Sequence, residues 1–191
     1  MRLGGVGQDP ARYDGAGYGN LSARVGPFPG ARGARPFLIS ATQTGGLRCF
    51  DADGICLVRR CDARRNTVES VGPAPPSSES LTHGALYDLS PVIRYVFHVH
   101  SPVIWQQRDA LRLPTSRADV AYGTPDMAFE VARLARETPL LDRGLLAMAG
   151  HEDGIIAFGR TASAAGAALV TALAEGHQRT LATTQRLCFD R

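Results

Sequence analysis

The sequence predicts an α/β domain with α+β character: a three-layer α/β/α arrangement around a central, mainly antiparallel sheet. Three observations carry this. Strand-like segments crowd the first third of the chain and helical patterns dominate the rest, so the two segregate more than they alternate. Asp51-Ala52-Asp53-Gly54 puts an Asp-Gly turn signal between two apolar runs, which suits a hairpin. A second hairpin-like unit is formed by Leu145-Leu146-Ala147-Met148-Ala149 and Ile155-Ile156-Ala157-Phe158. With 191 residues, 44% of them hydrophobic, the chain has enough apolar content for one sizeable core. No internal repeat is visible.

Residues 1–18 are glycine-rich and unpatterned and read as a flexible lead-in; residues 19–191 read as the single domain. Gly15-Ala16-Gly17-Tyr18-Gly19 lacks both the preceding strand and the following Lys of a nucleotide loop, so it is a backbone turn. Strands are expected over Asn20 to Val25, Pro36 to Ser40, Leu47 to Phe50 and Gly54 to Arg59. A charged, proline-rich linker from Asp62 to Pro76 leads into a helix from about Ser78 to Leu89, with Ser77 or Ser78 as its cap, Glu79 in its first turn and Pro91 as its stop. Ile93 to His100 alternates as a strand. Ser101-Pro102 opens a short helix to about Leu111, and Thr124-Pro125-Asp126 opens another, with Met127, Val131, Leu134 and Ala135 on one face until Pro139. An alanine-rich helix from about Thr161 to Arg186 completes the chain.

All 21 basic residues are Arg, with no Lys anywhere. This excludes a Schiff-base lysine, a pyridoxal-phosphate anchor and a phosphate-loop lysine, so carbanion chemistry here needs a metal as its electron sink. The net charge of +3 is small and scattered. Arg59-Arg60 and Arg64-Arg65 read as a solvated face, so no nucleic-acid partner is expected. Cys49, Cys56, Cys61 and Cys188 form no Cys-x-x-Cys pair and read as free thiols of a reducing compartment. With no apolar signal core and no stretch resembling a membrane span, the sequence reads as a soluble, cytoplasmic protein without a membrane partner.

The chemistry-bearing residues are Glu79, His98, His100 and His151. On a strand, His98 and His100 share one face with Val96, while Tyr95, Phe97 and Val99 take the other. Same-face neighbours are about 6.7 Å apart. Two such imidazoles can lean onto one ion at Zn–N distances of about 2.0 to 2.1 Å. His151, at the turn of the second hairpin, is the best third ligand, and three protein ligands leave a position open, as in catalytic zinc sites. Glu79 is the candidate general base. His83 and His177 read as ordinary helix histidines, His83 partly exposed and, one turn after Glu79, able to orient it.

These blocks resemble the class II aldolase/adducin family. Gly19-Asn20-Leu21-Ser22-Ala23-Arg24 resembles its Gly-Asn-x-Ser-x-Arg strand, and Leu38-Ile39-Ser40 with Thr44-Gly45 its substrate-phosphate loop. Pro76-Ser77-Ser78-Glu79 resembles the helix start with two phosphate-binding serines and the catalytic glutamate; His98-Val99-His100-Ser101 and Gly150-His151 resemble the zinc-ligand blocks, and Tyr122-Gly123-Thr124 the segment before the next helix. The resemblance spans Gly19 to the C-terminus. It implies the family's class II aldolase-like fold, zinc or another divalent transition metal on His98, His100 and His151, Glu79 as the catalytic residue, and Asn20, Thr44, Gly45, Ser77 and Ser78 around a substrate phosphate. It also implies a homotetramer. The chain departs from the family in having no helix before the Asn20 block, in its longer loop Ser40-Ala41-Thr42-Gln43-Thr44-Gly45, and in Glu152-Asp153 after the third histidine.

The expected activity is that of a zinc-dependent aldehyde-lyase: retro-aldol cleavage of a ketose or ketose phosphate through a metal-held enediolate. Dehydration, decarboxylation or epimerisation of a similar sugar could use the same site. A non-catalytic adducin-like interaction module is the other class, and its signature, loss of the histidines or the glutamate, is absent.

Overall fold

The computed structural model describes residues 3–47, 49 and 51–189, with the side chains of the last helix as far as residue 182. In chain order the elements are β1 (Gly7–Gln8), β2 (Gly17–Tyr18), β3 (Asn20–Arg24), β4 (Phe37–Ser40), β5 (Ile55–Asp62), β6 (Thr67–Val71), α1 (Ser80–Leu89), β7 (Tyr95–His100), α2 (Pro102–Gln106), α3 (Pro125–Glu137), α4 (Leu140–Arg143), β8 (Leu145–Ala147), β9 (Gly154–Gly159) and α5 (Ala162–Phe189). Seven strands form one sheet in the order β6-β5-β4-β3-β7-β9-β8, and every neighbouring pair is antiparallel.

Period-two alternation decides what each face buries. Phe37, Ile39, Val58, Val96, Leu146, Ile156 and Phe158 pack with Leu86 and Tyr87 of α1 and Met127, Val131 and Leu134 of α3. The intervening residues Leu145, Ala147, Ile155 and Ala157, joined by Phe97 and Val99, pack with Ile104 of α2 and Ala165 and Ala172 of α5. Helices therefore cover both faces, as expected of three layers, and each fully buried Leu, Ile or Met contributes about 1.5–3 kcal/mol. The caps match the residues that mark them: Ser101 accepts from the Ile104 N–H and Thr124 from the Met127 N–H, each with Pro at the first helical position. Ala135 packs against the first core with the α3 face predicted for it.

The structure corrects the sequence reading in several places. The expected strand at Leu47 to Phe50 is not formed at Leu47 or Cys49, and Arg48 and Phe50 lie outside the described residues. Residues Ala52–Gly54 form a 3-10 turn capped by Asp51, which feeds β5 and does not close a hairpin. The supposed linker contains β6, an edge strand whose largely exposed side chains leave little apolar signal. The short helix after Ser101 ends at Gln106. Among the cysteines, Cys49, Cys56 and Cys61 are free; the Cys188 side chain lies outside the described residues.

The lead-in is the largest correction. Residues expected to be unpatterned form the β1–β2 ribbon, with Gly7 opposite Tyr18, and the Gly5 carbonyl accepts the His100 N–H at 2.8 Å. The segment folds back onto the end of β7 that carries the histidines. No helix among the described residues is long and apolar enough to cross a membrane.

Candidate active site

Register brings the site together. In the β3–β7 ladder Asn20 stands opposite His98, and in the β7–β9 ladder His100 stands opposite Gly154, just after the loop that carries His151. His98 and His100 are buried on the α1-facing side of β7; His151 is half-buried. The three residues offer ligand atoms that all lie within 4.8 Å of one another. His100 Nε2 and His151 Nε2 are 3.1 Å apart, and the His98 and His151 rings stack at 5.2 Å. Gly150 makes this possible. A Cβ there would fall 2.3 Å from the Val120 carbonyl oxygen, so only glycine lets the loop pack this closely before His151.

Glu79 is 3% exposed and sits at the N-cap of α1, one position before the helical turn predicted for it. Its Oε2 lies 3.2 Å from His98 Nε2 and accepts the Asn20 Nδ2–H at 2.7 Å; Oε1 is buried without a partner. Burial pushes the Glu79 carboxyl upward, opposed by its electrostatic coupling to His151 and by the Asn20 hydrogen bond. Burial pushes His98 down to about 4. The same cause, reinforced by neighbouring His98, lowers His151 to about 4 and His100 to about 2. All three rings are thereby kept neutral, with lone pairs available, at physiological pH.

A cavity of about 370 Å³ opens over this cluster, lined by Glu79, His98, His100 and His151 together with Asn20, Thr44, Gly45, Ser77 and Ser78. All nine residues singled out from the sequence meet in one space. Their local bonds differ in kind. The Asn20 amide, expected beside a phosphate, is engaged with Glu79. Ser77 Oγ accepts from the Glu79 N–H at 3.3 Å, and Thr44 Oγ1 donates to the Ala41 carbonyl at 2.7 Å. The loop holding Thr44 is tied to the α1 entrance by Thr42 N–H donating to Pro75 O and Ser77 N–H to Ser40 O. A Cβ on Gly45 would lie 2.4 Å from the Gly7 carbonyl oxygen, so the lead-in packs against this loop through a glycine.

Residues 10–174 match the model of the Class II Aldolase and Adducin N-terminal domain. The chain belongs to the class II aldolase/adducin family. No curated protein matches it at a significant level. Solved structures do. An L-fuculose 1-phosphate aldolase aligns with TM-score 0.63 at 20% identity over 87% of this chain and 76% of that one. The L-fuculose-1-phosphate aldolase of Thermus thermophilus aligns with TM-score 0.56 at 21% identity, covering 88% and 84%. YgbL of Escherichia coli, described as a candidate aldolase/epimerase/decarboxylase, aligns with TM-score 0.60 at 21% identity, covering 85% and 78%. At these identities the likeness is one of fold.

The donor set fits the metal that this class II aldolase/adducin fold implies. Two nitrogens on one tetrahedral zinc lie about 3.3 Å apart given the usual bond lengths; His100 and His151 Nε2 already stand at 3.1 Å. At this distance two neutral imidazoles can share one N–H···N hydrogen bond, or, with both protons on Nδ1, turn both Nε2 lone pairs onto one cation.

Three tyrosines lining the cleft of this family member, Tyr13, Tyr18 and Tyr122, and Arg12 bonded to two of them, were not singled out as site residues. Tyr13 donates to Asp153 Oδ2 at 2.6 Å and lays its ring edge-on to His100 at 4.5 Å. Arg12 donates to the hydroxyls of both Tyr13 and Tyr18, and Tyr122 stacks on His151 at 4.0 Å. Arg12, Tyr13 and Tyr18 were hidden by their glycine-rich context; aromatic and cationic side chains in an otherwise small-residue segment were the available signal. Tyr122 was visible only as a block before a helix. His83, expected to be partly exposed, is fully buried, with Nδ1 2.7 Å from Ser22 Oγ.

Proposed function

We propose that this protein is a zinc-dependent aldehyde-lyase of the class II aldolase type, cleaving a ketose or ketose phosphate by a retro-aldol reaction. One observation carries the reading: three neutral imidazoles converge beside a buried carboxylate, 3.2 Å from His98, at the floor of one cavity. When bound by His98, His100 and His151, zinc or a similar divalent ion supplies Lewis acidity that draws electrons toward a substrate carbonyl. The remaining work falls to the chain itself. Glu79 takes and returns the proton at the carbon next to that carbonyl, and its burial gives it the proton affinity for this exchange. Asn20 holds one carboxylate oxygen and leaves Oε1 free to face the substrate. Ser77, Ser78, Thr44 and Gly45 receive the anionic end of the substrate at the N-terminus of α1, where the helix dipole favours negative charge.

Free thiols such as buried Cys56 and half-buried Cys61 agree with a cytoplasmic enzyme, and the family resemblance supports a homotetramer. Glu79→Gln tests the assignment. It should abolish hydrogen exchange at the carbon beside the carbonyl while zinc stays bound, and undiminished turnover would exclude Glu79 as the base. A screen of free and phosphorylated ketoses, read by aldehyde release, identifies the substrate.

The same cleft serves dehydration, decarboxylation or epimerisation, since each passes through a carbanion that electron withdrawal at a carbonyl stabilises, with a proton taken from or returned to the adjacent carbon. The long loop from Ser40 to Gly45 favours keeping this reading beside the first, because it reshapes the wall that receives the substrate's far end. Product analysis separates them: an aldehyde fragment marks cleavage, and an unchanged carbon count marks dehydration or epimerisation.

A further inference from the structure

A second polar cluster lies at the other end of β3. Asn20, Ser22 and Arg24 are the buried residues of this strand. Asn20 serves Glu79, and Ser22 Oγ is within 2.7 Å of His83 Nδ1 and 2.6 Å of the Tyr87 hydroxyl. Arg24, four residues from Asn20 and so about 13 Å further along the strand, is only 7% exposed. Its Nη2 donates to the Pro29 carbonyl at 3.1 Å, but Nε and Nη1 are buried without any acceptor, and Arg94 Nη1 is buried and unpartnered beside it.

The surrounding charge is one-sided. Arg35 and Arg94 are the cations nearest Arg24 in electrostatic effect, and with burial they hold its guanidinium below its usual proton affinity. The acid in reach is Asp88, already occupied: it accepts two bonds from the Gly33 N–H, at 3.0 and 2.8 Å, and lies 3.9 Å from Arg35 Nε. Phe28, half-exposed, covers the group. Its ring centre lies 3.3 Å from the Arg94 guanidinium carbon and 4.9 Å from that of Arg24. Cation–π contact offsets a little of the cost of bringing like charges together but supplies no acceptor for the free N–H groups. Three guanidinium groups against one carboxylate leave two positive charges in excess; Arg35 Nε and Nη1 donate to the Gly30 and Tyr87 carbonyls, and the donors still open are those of Arg24 and Arg94.

We propose that Arg24, Arg35 and Arg94 form an oxyanion site, separate from the catalytic cleft, that takes a phosphate group with Phe28 lying over it. A phosphate dianion matches the two excess charges and offers enough oxygens to accept from Nε and Nη1 of Arg24 and Nη1 of Arg94 together. Free phosphate and the head of a phosphate monoester present the same oxygens to these donors.

Arginine footprinting tests this on the intact protein, without requiring any variant to fold. Phenylglyoxal labelling is followed by peptide mass spectrometry with and without inorganic phosphate, at constant ionic strength set by chloride, and in a parallel arm with glycerol phosphate. At phosphate ten times its dissociation constant, labelling of Arg94 and Arg35 should slow by about tenfold, while the Arg59 and Arg60 controls keep their rates. Protection at lower concentration by inorganic phosphate than by glycerol phosphate identifies the free ion as ligand, and the reverse order identifies a monoester. Labelling of Arg94 at the same rate in all arms, or equal protection of the controls, overturns the proposal. In Arg94→Gln the protection of Arg35 should disappear, and its persistence would show that the arginines do not share one ligand.

Discussion

Asn20 and His98 face each other across the β3–β7 ladder, and the Asn20 amide reaches past that pairing to hold Glu79 at 2.7 Å. A strand residue, a metal-ligand candidate and a carboxylate from a helix entrance are thereby set by a single register. The amide is the only side-chain donor hydrogen-bonded to Glu79 among the described residues besides the His98 ring contact.

Asn20→Ala should therefore leave a carboxylate buried without its amide donor. A hydrogen bond to a charged group contributes about 1.5–3 kcal/mol, and urea unfolding should show a loss of that size. Metal stoichiometry should be unchanged, because Asn20 supplies no ligand. An Asn20→Ala protein as stable as wild type would mean that Glu79 is held elsewhere.

One divalent ion per chain is expected after zinc is supplied, read by elemental analysis. His98→Ala, His100→Ala and His151→Ala should each reduce retention to background after gel filtration. His83→Ala should retain the ion, because His83 Nδ1 is engaged with Ser22. Chelation should lower the melting temperature of the wild type, since an ion that binds only the folded state stabilises it.

Acid should destabilise the protein through His83 with a defined sign. Burial lowers this ring to about 3 from 6.5. Between those values the unfolded chain binds a proton that the folded protein refuses, so stability is full above about pH 6.5 and falls as pH drops toward 3, by up to about 1.4 kcal/mol per pH unit. Urea midpoints compared at about pH 7 and about pH 5 should converge in His83→Gln relative to wild type. Equal pH slopes in both proteins would contradict this.

Gly150→Ala should disturb the His151 loop. The new methyl meets the Val120 carbonyl at 2.3 Å and the Ala118 carbonyl at 2.9 Å, and backbone on both sides leaves it no easy escape. Overpacking of this kind costs about 1–3 kcal/mol. Calorimetry should record that loss, and zinc affinity should fall with it because His151 is displaced.

Tyr13→Phe keeps the ring against His100 and removes the hydroxyl bonded to Asp153 and Arg12. A loss of about 0.5–1.5 kcal/mol is expected. Hydrogen exchange should increase selectively at residues 5–18, whose contact with the Asp153 loop depends on that bond.

Much of this molecule was legible before folding because its signals are local. The alternation from Tyr95 to His100 places both imidazoles on one face of a strand whatever the sheet around it, and Thr124-Pro125 starts a helix by capping chemistry alone. His151 was legible as a turn residue between two apolar runs, as β8 and β9 bear out. The same locality explains the failures: β6 buries little of its own sequence, so edge pairing with β5 and not side-chain pattern makes it a strand. The glycine-rich lead-in has no pattern at all and is ordered by what it packs against.

The sequence by itself determined the layer architecture, the absence of lysine chemistry, and the residue types able to hold a cation and move a proton. Only the tertiary structure decided that Asn20 serves Glu79, that Tyr13 covers His100, that His83 is buried, and that Arg24 and Arg94 converge under Phe28. The physical reason is range. Periodicity and capping depend on neighbours a few residues away, whereas these contacts join residues tens of positions apart, and strand order and register set which of them meet.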